Sequence, residues 1–145
     1  MSPLPVHTMT ADFETGKALT AGSISVGSDD FPGLKLTLAS VVEWRIRSVA
    51  ITYEPVSPTA VGRVLLFVSP EDWDDLDNVA SMVASGAVST SACARKVTQV
   101  TSLATQDWCA RDKAAAKIHV VLQATAGTLG FLRVRITYQT RGVTV

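Results

Sequence analysis

Residues 48–77 read "SVAITYEPVSPTAVGRVLLFVSPEDWDDLD". The stretch holds two apolar runs, a hinge of Pro, Ser and Thr between them, and then five carboxylates within seven residues. The first run belongs to "WRIRSVAITYE" (44–54), which is β-branched and aromatic and opens with period-two alternation, so it predicts a strand. The hinge "PVSPTAVG" (55–62) cannot be a central strand, because its two prolines bring no N–H to a ladder. "RVLLFVS" (63–69) is a continuous apolar run bounded by Gly62 and Pro70, the pattern of a strand covered on both faces. In "PEDWDDLDNVASMVASG" (70–86) the period changes. Leu76, Val79, Met82 and Val83 recur at helical spacing, Pro70 and the acids suit a helix entry, and Gly86 suits an exit.

On the N-terminal side, residues 1–16 are weakly patterned and read as an arm, followed by one domain over 17–145. "KALTAGSISVG" (17–27) predicts a strand of small residues, and "SDDFPG" (28–33) is turn chemistry. "LKLTLASVV" (34–42) fits a short strand or a turn of helix. On the C-terminal side, "AVSTSACARKVTQVTSLA" (87–104) suggests one or two strands, and "TQDWCARDKAAAK" (105–117) a loop. "IHVVLQAT" (118–125) and "FLRVRITYQT" (131–140) are strands that the short "AGTLG" (126–130) would join as a hairpin. In the last strand Leu132, Val134, Ile136 and Tyr138 face one way, and Arg133, Arg135, Thr137 and Gln139 the other. "RIRSVAITYEP" (45–55) and "RVRITYQT" (133–140) echo one another, which similar strand environments explain. Seven or eight strands, one helical insertion and no βαβ alternation place the chain in the all-β class, as a two-sheet sandwich rather than a barrel.

Composition narrows the function. Hydrophobic residues make up 47% and charged residues only 18% of the 145, which favours a protein that buries surface against copies of itself. No apolar run reaches membrane-span length, and the N-terminal residues lack a signal-peptide core. Cys93 and Cys109 fit no zinc or redox motif and read as buried thiols. The net charge of zero hides an asymmetry. Residues 1–92 hold five Lys/Arg against eleven Asp/Glu, and residues 93–145 hold eight against two.

No catalytic constellation stands out. His7 lies in the arm and His119 in a strand, and no Gly-x-Ser-x-Gly, His-Glu-x-x-His or phosphate-cradling glycine loop is present, so no enzyme is expected. The acids Glu71, Asp72, Asp74, Asp75 and Asp77 have two readings: part of an oxygen shell for Ca²⁺ completed by a neighbouring subunit, or a solvated helix N-terminus. The bases Arg95, Lys96, Arg133 and Arg135 likewise fit either contacts to nucleic-acid phosphates or a solvated outer face. Trp44, Trp73 and Trp108 read as packing or interface anchors.

The order of these segments carries a resemblance. "VVEWRIRSVAITYEP", "SPTAVGRV", "LLFVS" and "PEDWDD", closed by "AGTLGFLRVRITYQT", resemble in order and spacing the shell domain of coat proteins from small icosahedral positive-strand RNA viruses. The resemblance is chiefly to the plant sobemovirus, tombusvirus and luteovirus groups, and it spans about residues 20–140. It implies an eight-stranded jelly-roll β-sandwich with a short helical insertion, whose activity is self-assembly into an icosahedral capsid around genomic RNA. It implies a virion protein, assembled in the host cytoplasm, with no membrane partner. Several members bind Ca²⁺ between subunits through an Asp-x-x-Asp after the fourth strand, and Asp72 and Asp75 stand at that spacing. The chain departs from the family in its first sixteen residues, which contain no Lys or Arg where a basic RNA-neutralising arm is usual. A non-viral β-sandwich binding module, directed to a carbohydrate or a Ca-dependent ligand, is the alternative.

Overall fold

The computed structural model describes residues 6–14, 22–27, 31–56, 58–59, 61–76, 78–91, 93, 97–103, 106–124 and 130–143. The strands are β1 (Val6–Glu14), β2 (Gly22–Val26), β3 (Val41–Pro55), β4 (Gly62–Pro70), β5 (Val88–Ser91), β6 (Val97–Ser102), β7 (Cys109–Ala110), β8 (Ala116–Ala124) and β9 (Gly130–Val143). Two helices interrupt them, α1 (Pro32–Leu38) and α2 (Val79–Ala84). One antiparallel sheet has the order β1-β9-β3-β6, with the two-residue β7 also on β3, and the other has the order β2-β8-β4-β5. This is the all-β jelly roll expected from the sequence, a five-stranded sheet that includes the two-residue β7 and a four-stranded sheet.

The alternation in "FLRVRITYQT" gives the inner face of β9. Leu132, Val134, Ile136 and Tyr138 are buried, and they meet Trp44, Ile46, Val49, Ile51 and Tyr53 of β3 and Val64, Leu66, Val68, Ile118 and Val120 of the facing sheet. The echo between residues 45–55 and 133–140 follows from position, since β3 and β9 are paired neighbours in the middle of their sheet. β4 is buried on both faces, as its unbroken apolar run predicts. Its outer face is covered by the segment that follows it, where Leu65, Met82 and Val121 form a second small core with Phe67, Leu76, Val79 and Ala87 packed on it.

Several expectations change. Residues 6–14, read as part of an arm, form β1 and pair with β9 along their whole length. Their polar alternation suits an edge strand with one wet face. Residues 34–38 take the helical one of their two readings, with Pro32 in the first turn of α1. β8 and β9 are not a hairpin: β8 lies between β2 and β4, and β9 between β1 and β3, so the link after β8 crosses from one sheet to the other. A short link is compatible with both geometries, and the pairing preferences of the long strands decide. The helix after β4 starts at Val79 rather than at Pro70, because Pro70 still pairs with Ala116 at the end of β4. Asn78 caps α2 by accepting the Ser81 N–H at 2.9 Å. Gly86, at φ +85°, closes the helix with N–H bonds from Gly86 to Val83 and from Ala87 to Met82.

The fold also brings opposite charges of the two halves together. Asp12 pairs with Arg135, Glu43 with Arg141, Glu54 with Arg133, and Asp75 with Lys117. Each pair joins an acid of residues 1–92 to a base of residues 93–145. Antiparallel pairing thus mixes the two halves and spreads their opposite charges over both sheets.

Candidate functional site

The acidic segment after β4 is a strap over the outer face of the β2-β8-β4-β5 sheet. It leaves Pro70, runs without regular structure through Leu76, and enters α2 at Asn78. No acid lies in the first turn of α2, so a helix dipole does not account for the cluster. The carboxylates instead tie the strap down. Ser25 Oγ donates to Glu71 Oε1 at 3.1 Å, and Ser23 Oγ donates to Asp75 Oδ1 at 3.0 Å. Lys117 Nζ lies 3.2 Å from Asp75 Oδ1 and donates to the Trp73 carbonyl at 2.8 Å. These hydrogen bonds, led by that from Lys117, hold the Asp75 carboxyl below the usual range. Glu71 Oε2 is buried and lacks a partner among the described residues. Asp72 and Asp74 are exposed, and Asp77 lies outside the described residues.

Among the described residues no group of three or more His, Cys, Asp or Glu is placed to hold a metal ion. An ammonium group already occupies the Asp75 carboxylate, and a Ca²⁺ ion there would face it at close range.

His119, which sequence reasoning left without a role, is the central fastening of the strap. It sits on β8 opposite Phe67 of β4, and it is fully buried. Its Nδ1 accepts the Leu76 N–H at 3.2 Å, and its Nε2 lies 2.8 Å from Ser69 Oγ, which donates to the Pro70 carbonyl at 2.9 Å. An acceptor Nδ1 requires the ring proton on Nε2, so a neutral imidazole satisfies every group. Burial holds His119 below its ordinary 6.5, Lys117 adds to the effect and Asp75 opposes it. The Phe67 ring lies 6.0 Å from His119 and 5.6 Å from Trp73, so the strap's tryptophan continues the stack outward. The signal for His119 was its strand parity: it faces away from Ile118 and Val120, onto whatever covers the outer sheet face.

The other expected residues fall in three places. Trp44 is fully buried, its indole N–H donating to the Lys113 carbonyl at 3.0 Å, so it has no surface to offer a neighbour. Trp73 is 44% exposed at the strap. Trp108 stacks with the Arg45 and Arg141 guanidiniums, at 4.4 and 4.3 Å from its ring centre. Arg133 and Arg135 form the expected exposed row on β9, but Arg135 holds Asp12 with two bonds and Arg133 holds Glu54 at 3.1 Å. Arg95 and Lys96 lie outside the described residues.

A cleft of about 650 Å³ opens between the strap and the chain around β7, lined among others by Phe67, Glu71, Trp73, Gln106, Trp108 and Cys109. Cys109 is half-buried, and Cys93, read from the sequence as buried, is exposed because it stands in the turn after β5. Burial, with Glu43 and Asp112 nearby, pushes the Cys109 thiol up to about 11. Titration with a maleimide at neutral pH is expected to modify Cys93 readily. Cys109 should react slower by about a hundredfold than an unshifted thiol of equal access, through its smaller thiolate fraction. Equal labelling of both cysteines would contradict the placement.

No family model matches the sequence, and no curated protein matches it. Solved structures match over nearly the whole chain. A Cocksfoot mottle virus structure is 12% identical with a TM-score of 0.76, covering 97% of each chain. A mud crab tombus-like virus structure is 13% identical with a TM-score of 0.76, covering 100% of this chain and 92% of that one. A nodavirus particle of the prawn Macrobrachium rosenbergii is 11% identical with a TM-score of 0.75, covering 100% and 97%. The fold of this chain is the capsid-type jelly roll found in these virus structures.

Proposed function

We propose that the chain is a viral coat protein whose activity is self-assembly into an icosahedral shell around an RNA genome, formed in the host cytoplasm and residing in the virion. The observation that carries this reading is the strand order β1-β9-β3-β6 facing β2-β8-β4-β5, aligned end to end with virus shell proteins at nearly full coverage of both chains. The registers support it further. Glu14 lies opposite Arg133, Tyr53 opposite Val97, Pro55 opposite Gly130, and Gly62 opposite Ala124. Four connections therefore leave from one end of the sandwich, where Val56, Val61 and Phe131 expose apolar side chains. A blunt end with apolar tips suits repeated contacts with identical copies, each weak and together stable. Purified protein is expected to sediment as a megadalton particle. A species that stays monomeric at high concentration would overturn the reading and favour a binding module.

The RNA contact is assigned to the exposed β9 row, where the Arg133 and Arg135 side chains project from the same face of the strand. Arg133 and Arg135 would trade their carboxylate partners for phosphates, a contact without sequence choice. The double substitution R133A/R135A is expected to weaken single-stranded RNA binding and to lower the slope of log affinity against log salt by about 1.4, at about 0.7 per phosphate contact. An unchanged slope would remove the row from the interface.

A further inference from the structure

The geometry points to His119 as an acid-operated latch: a second proton on its ring, at Nδ1, displaces the Leu76 N–H and releases the strap of residues 71–76 from the outer sheet face. The neutral ring uses both nitrogens, Nδ1 as acceptor from Leu76 and Nε2 as donor to Ser69 Oγ, whose own hydrogen goes to the Pro70 carbonyl. Protonation leaves two N–H groups facing each other across 3.2 Å with no acceptor between them. The ring is fully buried and cannot turn to water without displacing Phe67 or the strap.

Among the described residues, the charged groups that face it are few. On β8, Lys117 disfavours a second charge, and on the strap Asp75 favours one. The strap also carries Glu71, Asp72 and Asp74, while β2 presents Ser23 and Ser25, β4 presents Phe67 and Ser69, and α2 and β5 contain no titratable residue. Because burial and Lys117 prevail, the latch stays closed at neutral pH and opens as pH falls below the ordinary histidine value of 6.5. The sign follows from linkage: the open strap exposes a ring that binds protons more readily than the closed one. The remaining ties are the Ser25–Glu71 and Ser23–Asp75 hydrogen bonds, the Lys117–Asp75 pair and the Lys117 bond to the Trp73 carbonyl, none of which supplies an acceptor for the Leu76 N–H. The inference concerns one subunit and stands apart from assembly.

Hydrogen exchange of the full chain, read by mass spectrometry on a peptide spanning 71–78, tests it. After correction for intrinsic rates, exchange in this peptide is expected to rise about tenfold as pH falls from 7 to 5, the size of one lost buried hydrogen bond to a group that becomes charged. A peptide from 132–138 in β9 should stay protected. His119→Gln, which accepts a hydrogen bond but does not titrate, should abolish the pH response. Asp75→Asn, which removes the carboxylate favouring protonation, should move it to lower pH. If His119→Gln does not fold, Asp75→Asn alone decides. An acid response that persists in His119→Gln, a midpoint unmoved in Asp75→Asn, or a wild-type strap equally protected at both pH values would overturn the latch.

Discussion

Trp44→Ala is expected to destabilise the subunit by about 4 kcal/mol, the cost of emptying a large aromatic site in a packed core. At roughly 3 °C per kcal/mol for a chain of this size, the melting temperature should fall by roughly 12 °C. The reasons are local. The indole is fully buried, packs edge-on against Tyr138 with ring centres 6.3 Å apart, and donates to the Lys113 carbonyl. That bond ties the chain after β7 to the start of β3, so its loss loosens the cleft wall as well as the core. Trp44→Phe keeps the contact with Tyr138 and loses the N–H, and should cost about 1.5 kcal/mol. Urea unfolding of dissociated subunits measures both. An interface anchor would behave differently, impairing assembly while leaving subunit unfolding unchanged. A Trp44→Ala loss under 1 kcal/mol would mean the ring is not where the core description puts it.

The same residue shows what the sequence could and could not tell. Alternation along 44–54 and 131–140 was enough to place two strands and their buried faces, because each face either meets the opposite sheet or meets water. The jelly roll itself needed the order of segments, since alternation does not say which strand pairs with which. β8 and β9 illustrate the gap: a short link and two good strands read as a hairpin, yet the two strands belong to different sheets. The acidic run was visible and its work was not. Its partners, Ser23, Ser25, Lys117 and His119, lie on β2 and β8, some forty to fifty residues away in either direction. Nothing local to the run announces them. The split of charge between the two halves was equally visible, and it acquires meaning only once the fold sets Asp12, Glu43, Glu54 and Asp75 against bases of the other half.

That dependence on long-range register is sharpest at Gly130, where a single methyl group is expected to be among the most damaging changes in the chain. Gly130 opens β9 opposite Pro55 at the end of β3. A Cβ there would lie 2.3 Å from the Glu54 carbonyl oxygen, 2.8 Å from the Tyr53 ring and 3.0 Å from the Glu54 carbonyl carbon. The backbone of Gly130 is not in the left-handed region, so the demand is for space and not for conformational freedom. The obstructing atoms cannot yield cheaply. Glu54 sits within the long β3–β9 ladder, and the Tyr53 ring is fully buried in the main core. Gly130→Ala must therefore prise apart the last pairs of the ladder, at about 3 kcal/mol. Gly86→Ala supplies the contrast. Its φ is +85° with nothing within 4 Å of the added Cβ, so only the left-handed backbone is penalised, at about 1 kcal/mol. Gly86→Asn should recover part of that loss, since Asn tolerates the conformation, whereas Gly130→Asn should be worse than Gly130→Ala. Urea midpoints for the four variants separate the two mechanisms. Equal costs for alanine at both glycines would refute the close approach of β3 and β9 at the end of the sandwich, and with it the exposed placement of Val56 and Phe131 on which the proposed contacts between copies rely.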